Sequence, residues 1–203
     1  MKIICVGRNY LKHIQELNND IPKDLLFFLK PETAIPQKKM PFFIPDFSNE
    51  IHHEVEIVLK INKTGKHIQR KFAHTYYNEI TTGIDFTARD VQKELKKKGH
   101  PWEKSKSFDG SAAVGSFVKK KDFLNINNIN FKLLVNNKEK QIGNTQNMIF
   151  DFDYIIHYIS KFITLKKGDL IFTGTPQGVG KVYKNDTLEA SIENQKLLEI
   201  QVK

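Results

Sequence analysis

Ile51-His52-His53-Glu54-Val55-Glu56-Ile57-Val58-Leu59 is the stretch whose reading decides the fold. Ile51, Val55, Ile57 and Leu59 recur on alternate residues, the period of a β-strand with one buried face, and this puts Glu54 and Glu56 side by side on the other. Two carboxylates a few ångströms apart raise each other's pKa, so in a cleft they need a shared proton or a cation between them. A hard divalent ion suits such oxygen donors. On a half-exposed strand both glutamates would simply face water, and the stretch alone leaves that alternative open.

Working outward, Asp85 lies between Ile84 and Phe86 at the end of a predicted buried strand, Thr81–Phe86. An acid between apolar neighbours is costly to bury unpaired, which makes Asp85 the candidate third ligand. Thr87 and Asp90 resemble a capping box opening a helix that runs through Lys98 and stops at Gly99. Arg89 and Gln92 share a face of that helix near Asp85, where the guanidinium either binds a substrate carboxylate or pairs with Asp85. Toward the N-terminus, Lys2–Val6 reads as a strand, followed by a segment in which His13 and Glu16 stand three apart. On a helix that spacing lets the acid orient the imidazole and raise its basicity; an incidental surface pair is the alternative.

Leu25–Leu29 reads as a strand ended by Lys30-Pro31, and the four prolines between Pro31 and Ser48 mark an irregular loop. The polar segment 62–78 reads as weakly helical, and Lys106 stands in a loop-like stretch, 101–110. Phe131–Val135 and Lys138–Ile142 form a hairpin signal around Asn136-Asn137, whose side chains tolerate positive φ. Ile149, Phe152, Ile155, Ile156, Ile159 and Phe162 recur at helical spacing. Leu170–Phe172 reads as a strand entering Thr173-Gly174-Thr175-Pro176-Gln177-Gly178-Val179-Gly180-Lys181. That run is not a phosphate-binding P-loop, because Thr175 replaces the first glycine and Val182 the magnesium-binding hydroxyl. His52-x-Glu54 echoes a zinc-deaminase motif, yet the chain's one cysteine cannot supply the Cys-x-x-Cys.

At 203 residues the chain fits a single catalytic domain, 1–203, with a sizeable core. No apolar run is long enough to span a bilayer, and the apolar start is broken by Gly7-Arg8, a poor signal peptide. With a single cysteine, the cytoplasm is the expected compartment and oxygen the expected metal donor. The net charge of +9 admits a nucleic-acid-binding module, whose acids would be merely structural. The lysine clusters 96–98 and 119–121 instead read as solvated helix ends and turns, and no nucleic-acid motif accompanies them, so no nucleic-acid or membrane partner is expected.

Taken together, Gly7-Arg8-Asn9-Tyr10 with His13 and Glu16, His53-Glu54-x-Glu56, Asp85-x-Thr87-Ala88-Arg89-Asp90-x-Gln92, Lys106-Ser107-Phe108 and Thr173-Gly174-Thr175-Pro176-x-Gly178-Val179-Gly180 resemble the fumarylacetoacetate hydrolase family, most closely its small acylpyruvase and oxaloacetate decarboxylase branch. Lys140-Gln141 departs from the usual Arg-Gln, and no segment corresponds to the separate N-terminal domain of fumarylacetoacetate hydrolase itself, so that substrate is not expected. The resemblance implies an α+β fold, a β-rich mixed sandwich or roll with a few helices, in a homodimer. It implies Mg²⁺ or Mn²⁺ held by Glu54, Glu56 and Asp85, a catalytic pair His13 and Glu16, and substrate contacts from Arg89, Gln92, Lys106 and Thr175. Three carboxylates around one divalent ion leave room for a 2-oxo acid and carry a net charge of about −1, so Arg89 and Lys106 are needed beside an anionic substrate. The implied activity is cleavage of the C3 bond of a small 2-oxo acid, with the metal as Lewis acid for the pyruvate enolate: acylpyruvate hydrolysis, oxaloacetate decarboxylation, or both. Lys106 would stand near the oxyanion. The alternative is an isomerase or tautomerase of 2-oxo diacids such as 2-hydroxyhepta-2,4-diene-1,7-dioate.

Overall fold

The computed structural model describes residues 1–37 and 40–203. In chain order the strands are β1 (Ile3–Gly7), β2 (Leu26–Lys30), β3 (Ile51–His53), β4 (Val55–Ile61), β5 (Tyr77–Asp85), β6 (Thr87–Ala88), β7 (Ala112–Val114), β8 (Val118–Lys119), β9 (Asn130–Val135), β10 (Lys138–Asn144), β11 (Leu170–Phe172), β12 (Gly180–Lys181), β13 (Thr187–Ile192) and β14 (Gln195–Gln201). Between them lie the helices α1 (Leu11–Glu16), α2 (Arg70–Ala73), α3 (Arg89–Lys97), α4 (Glu103–Lys106) and α5 (Phe152–Phe162). The largest sheet runs β2-β1-β11-β4-β5-β7 with β8 also on β5; a second runs β10-β9-β13-β14, and a third, small one β12-β3-β6. Among the named strands of the described residues only β1 and β11 pair in parallel. This is the β-rich α+β architecture expected from the sequence, and no described helix is long and apolar enough to cross a membrane.

One apolar core spans the two larger sheets: Ile57, Leu59 and Ile80 pack in the same cluster as Leu133, Leu188 and Ile200, and Ile155, Ile156 and Ile159 of α5 close it. Each such side chain fully removed from water contributes about 1.5–3 kcal/mol before the cost of ordering the chain. At the centre, β4 is buried on both faces, since Val58 and Glu56 are as inaccessible as Val55, Ile57 and Leu59. The alternative of a half-exposed strand with both glutamates in water is therefore set aside: β4 is an interior strand, and Glu54 and Glu56 are buried. At Gly83, cross-strand from Glu56, a Cβ would come within 2.5 Å of the Phe172 ring, so only glycine allows the sheet to close there.

The stretch Ile51–Leu59 is also two strands rather than one. β3 pairs with β6 in the small sheet, whereas β4 pairs with β5 in the large one, and the chain changes partners at Glu54. Its neighbour changes partners at the same level, between Asp85 and Thr87, where Phe86 N–H turns away to donate to Ser111 O at 2.9 Å. Asp85 N–H donates to Glu54 O at 2.8 Å, locking the two bends together.

Other expectations shift locally. The Thr87–Asp90 capping box does not form: Thr87 Oγ1 donates to Asp85 O, while the Asp90 carboxylate accepts from Ser48 Oγ at 2.6 Å and Asn49 N at 2.8 Å and fastens the preceding loop. The helix still ends before Gly99, which takes φ +65°. Lys106 closes the short helix α4 instead of lying in a loop, only Arg70–Ala73 of segment 62–78 is α-helical, and Ile149 precedes α5 while Phe162 at its end is exposed. The hairpin holds, with Asn136 and Asn137 at φ 51° and 62°. A single helical turn, Glu32–Ala34, interrupts the expected loop 31–48, and residues 38 and 39 of that loop lie outside the described residues.

Candidate metal and substrate site

The paired bends bring one carboxylate oxygen each of Glu54, Glu56 and Asp85 within 4.8 Å of one another, all three residues buried. Three buried negative charges demand positive partners, and the surrounding elements deliver them. Lys106 Nζ, at the end of α4, lies 2.7 Å from Glu54 Oε2, 2.7 Å from Asp85 Oδ2 and 2.6 Å from Thr87 Oγ1. Lys30 Nζ, at the end of β2, lies 2.8 Å from Asp85 Oδ1 and also donates to Ser111 Oγ at 2.9 Å and to Lys106 O. Arg89, opening α3, pairs with Glu54 and donates to Gln92 Oε1 at 2.6 Å. The alternative pairing of Arg89 with Asp85 is thus replaced by one with Glu54.

Glu56 differs from the other two. Its one protein donor is Gly174 N–H at 2.7 Å, and among the described residues no cation pairs with it. Burial, then Asp85 and Glu54 at close range, push its carboxyl well above the usual range. Burial acts the same way on Glu54, but Lys106 and Arg89 outweigh it and hold Glu54 well below that range. Burial lowers the Lys106 amine, yet Asp85 and Glu54 more than compensate and raise it. A buried all-oxygen donor set with one carboxylate lacking a cation fits a hard divalent ion. Gly174 is required for this arrangement: it takes φ +102°, and a Cβ there would stand 2.7 Å from Asn9 Cβ.

Above the acids sits α1. His13 Nδ1 lies 3.2 Å from Glu16 Oε2, and Gly178 N–H donates to Glu16 Oε1 at 2.9 Å. Burial alone would raise Glu16, but these two donors lower it, so the carboxylate is ionised and His13 must carry its proton on Nδ1. Nε2 is then the ring nitrogen left to exchange a proton with a ligand in the cleft. Thr175 is held by Gln141, whose Nε2 donates to Thr175 Oγ1 at 2.9 Å while its Oε1 accepts from His53 Nδ1 and Val55 N, both at 3.0 Å. One cleft is lined by His13, Arg89, Gln92, Lys106 and Thr175 together with the acid trio. Of the nine residues singled out in the sequence, Glu16 alone does not line it, and it touches the cleft through His13.

Sequence reasoning missed several contributors. Lys30 has no local signature, because nothing in an apolar strand says which carboxylate its last residue will meet. Gln141 was visible only as part of Lys140-Gln141. His52 accepts from Arg89 Nε at 3.4 Å and lies 3.1 Å from Glu50, steadying the guanidinium from behind. Lys96, expected to be solvated, is half-buried and lines the cleft with Arg8. Its signal was available: Arg89, Gln92 and Lys96 fall at i, i+3 and i+7, one face of α3.

The chain matches the family described as fumarylacetoacetate (FAA) hydrolase C-terminal over residues 2–203. It is similar to oxaloacetate tautomerase FAHD1, mitochondrial, of Mus musculus, with 42% identity over 201 residues, covering 99% of this chain and 91% of that one. Identity is 43% over 192 residues to oxaloacetate decarboxylase, mitochondrial, of Dictyostelium discoideum, covering 94% and 88% of the two chains. The crystal structure of fumarylpyruvate hydrolase from Pseudomonas aeruginosa in complex with Mn²⁺ and pyruvate superposes with a TM-score of 0.93 at 30% identity, covering 100% of this chain and 89% of that one. A match over nearly the whole length, together with these similarities, establishes that the chain belongs to the fumarylacetoacetate hydrolase family.

Proposed function

We propose that the chain is a single-domain, Mg²⁺- or Mn²⁺-dependent enzyme that breaks the C3 bond of a small 2-oxo acid through its enolate, by hydrolysis of an acylpyruvate or decarboxylation of oxaloacetate. A second reading, keto–enol tautomerisation of oxaloacetate or a related 2-oxo diacid, is favoured by the name of the mouse relative. The observation that carries both is the convergence of three buried carboxylates and the His13 imidazole in one cleft. Glu54, Glu56 and Asp85 would hold the ion, and the manganese complex of the Pseudomonas aeruginosa enzyme supports that reading. A bound ion supplies Lewis-acid stabilisation of negative charge on the keto oxygen.

The chain's own groups do the rest. Arg89 and Gln92 bind the substrate carboxylate, and the positive charge of Lys106 stabilises the developing oxyanion. His13 Nε2 takes a proton from water in hydrolysis or from C3 in tautomerisation, and Glu16 stabilises the imidazolium that results. In decarboxylation no proton is taken beforehand, so the proton that C3 of the enolate gains comes from solvent water. Charge matching supports a doubly charged substrate. Three carboxylates face Lys30, Lys106 and Arg89, so the protein is near neutral there, and a divalent ion leaves two positive charges to be met.

The buried, unpaired Cys5 supports a reducing compartment such as the cytoplasm. A homodimer is the expected assembly, which light scattering would report as twice the 23.6 kDa chain mass; a groove of mixed lining, with Ile35, Pro41 and Leu198 beside Gln37, Glu199 and Gln201, is a surface it could use. The test of function is a panel of oxaloacetate and acetylpyruvate assayed with Mg²⁺, Mn²⁺ or EDTA, following pyruvate release and loss of enol absorbance. Metal-stimulated turnover abolished by EDTA is expected. Turnover indifferent to EDTA, or none on any member, would refute the reading.

A further inference from the structure

On the Trp102 side of the cleft, two cations face one neutral oxygen. Lys96 Nζ donates to Asn19 Oδ1 at 3.2 Å, and Arg8 Nη2 donates to the same atom at 3.4 Å. Arg8 Nη1 reaches Asp20 O at 3.5 Å, and Arg8 Nε is buried with no hydrogen-bond partner. Among the described residues neither cation has a carboxylate within 4.0 Å; Lys96 also lies over the Trp102 ring, 5.4 Å from its centroid. The two side chains are half-buried, and the cost falls on Arg8 Nε, a buried donor without a partner, which keeps its desolvation penalty.

The backbone carries a cost here as well. Arg8 takes φ +58°, a left-handed conformation rare for a residue other than glycine or asparagine, and such outliers cluster where a side chain must be aimed. Lys96 is aimed by α3, whose face already presents Arg89 and Gln92 to the inner end of the cleft. Burial, and then Arg8, Arg89 and Lys106, push the Lys96 amine down to about 8, the behaviour of a cation short of a counter-charge.

We propose that Arg8 and Lys96 form a distal carboxylate subsite, so that the enzyme selects 2-oxo diacids over 2-oxo monoacids. The inference rests on the reading of the inner site as the 2-oxo acid end of the cleft and assigns the other end of the same substrate. The guanidinium and the ammonium take the distal carboxylate, releasing Asn19, while Phe28 and Trp102 line the path of the intervening carbons. The competing role is a tether, in which both cations merely hold residues 19 and 20, just beyond α1, over the cleft. A tether would serve all substrates alike, whereas a subsite serves only those with a second carboxylate.

Titration calorimetry on the Mn²⁺-loaded protein separates them. 2-Oxoglutarate is compared with 2-oxopentanoate, and 2-oxoadipate with 2-oxohexanoate, each pair differing only in the distal carboxylate. The wild type is expected to bind at least one diacid about 10- to 100-fold more tightly than its monoacid, the size of a charge-assisted contact. Lys96→Met, which keeps the apolar stem, should erase most of that preference without changing monoacid affinity, and Lys96→Arg should retain it. Equal affinities within each pair, or a Lys96→Met loss shared by diacid and monoacid, overturn the subsite and leave the inner site standing. Binding of neither class would overturn the inner-site reading and the subsite with it.

Discussion

Replacing Lys30 with methionine removes one ammonium from the interior while keeping most of the side chain's volume. The structure sets the consequence: Asp85 Oδ1 loses a cation at 2.8 Å and Ser111 Oγ loses the donor it accepts from, in a region closed to water, whereas Ser111 O keeps Phe86 N–H and Lys106 O keeps the Ser111 hydroxyl. Lys106 remains on Asp85 Oδ2, so the carboxylate keeps one partner. Removing one member of a buried pair costs about 3–5 kcal/mol, and we expect a loss of about 4 kcal/mol here. Against a total stability of about 5–15 kcal/mol the variant still folds, but marginally. At about 2–4 °C per kcal/mol for a chain of this size, the melting temperature should fall by about 8–16 °C. Urea melts followed by circular dichroism in EDTA measure this directly. Adding Mn²⁺ at 100 times its Kd should stabilise the wild type by about 2.7 kcal/mol. At that same Mn²⁺ concentration the variant should gain more, since the ion replaces the positive charge Asp85 lost and so binds more tightly. A loss under about 1 kcal/mol in EDTA would refute the claim that Lys30 is the standing counter-charge of Asp85.

His13→Ala should lower turnover of acetylpyruvate by at least about 100-fold, the scale of general-base catalysis, while calorimetric Mn²⁺ affinity stays that of the wild type; unchanged turnover would remove the His13–Glu16 pair from the chemistry. Lys96 should impose a pH limit on diacid binding. Its amine, lowered to about 8 by burial first and then by Arg8, Arg89 and Lys106, with Glu54 opposing them, loses its proton as pH rises through that value. The KM for oxaloacetate should therefore climb above about pH 8, the KM for acetylpyruvate should not, and Lys96→Arg should flatten the difference; parallel profiles for the two substrates would count against Lys96.

Local patterns carried much of this molecule and failed where partners came from far away in the chain. The alternation around Glu54-Val55-Glu56 gave the strand, and the helical spacing of Ile155, Ile156 and Ile159 gave α5, because both are properties of a short window. The change of partners at Glu54 was invisible, since it is imposed by β6 and β5, and each half of the stretch keeps its own alternation. Asp90 misled for a related reason: its sequence position suits a cap, but Ser48 and Asn49 reach it first. The ligand trio could be named from residue chemistry, yet its counter-charges could not. Lys30 and Asp85 are joined only by tertiary packing, and Lys96 was hidden in a lysine run whose other members are exposed.

The central claim is that Glu54, Glu56 and Asp85 hold one divalent ion, and Glu56 tests it best because it is the acid without a cation of its own. Calorimetric titration of Mn²⁺ into wild type and Glu56→Gln, with circular dichroism confirming that both are folded, measures it directly. We predict one ion per chain for the wild type and an affinity at least about 100-fold weaker for the variant, beyond the 10- to 100-fold typical of residues that only orient a ligand. Equal affinity in the two proteins would contradict the assignment.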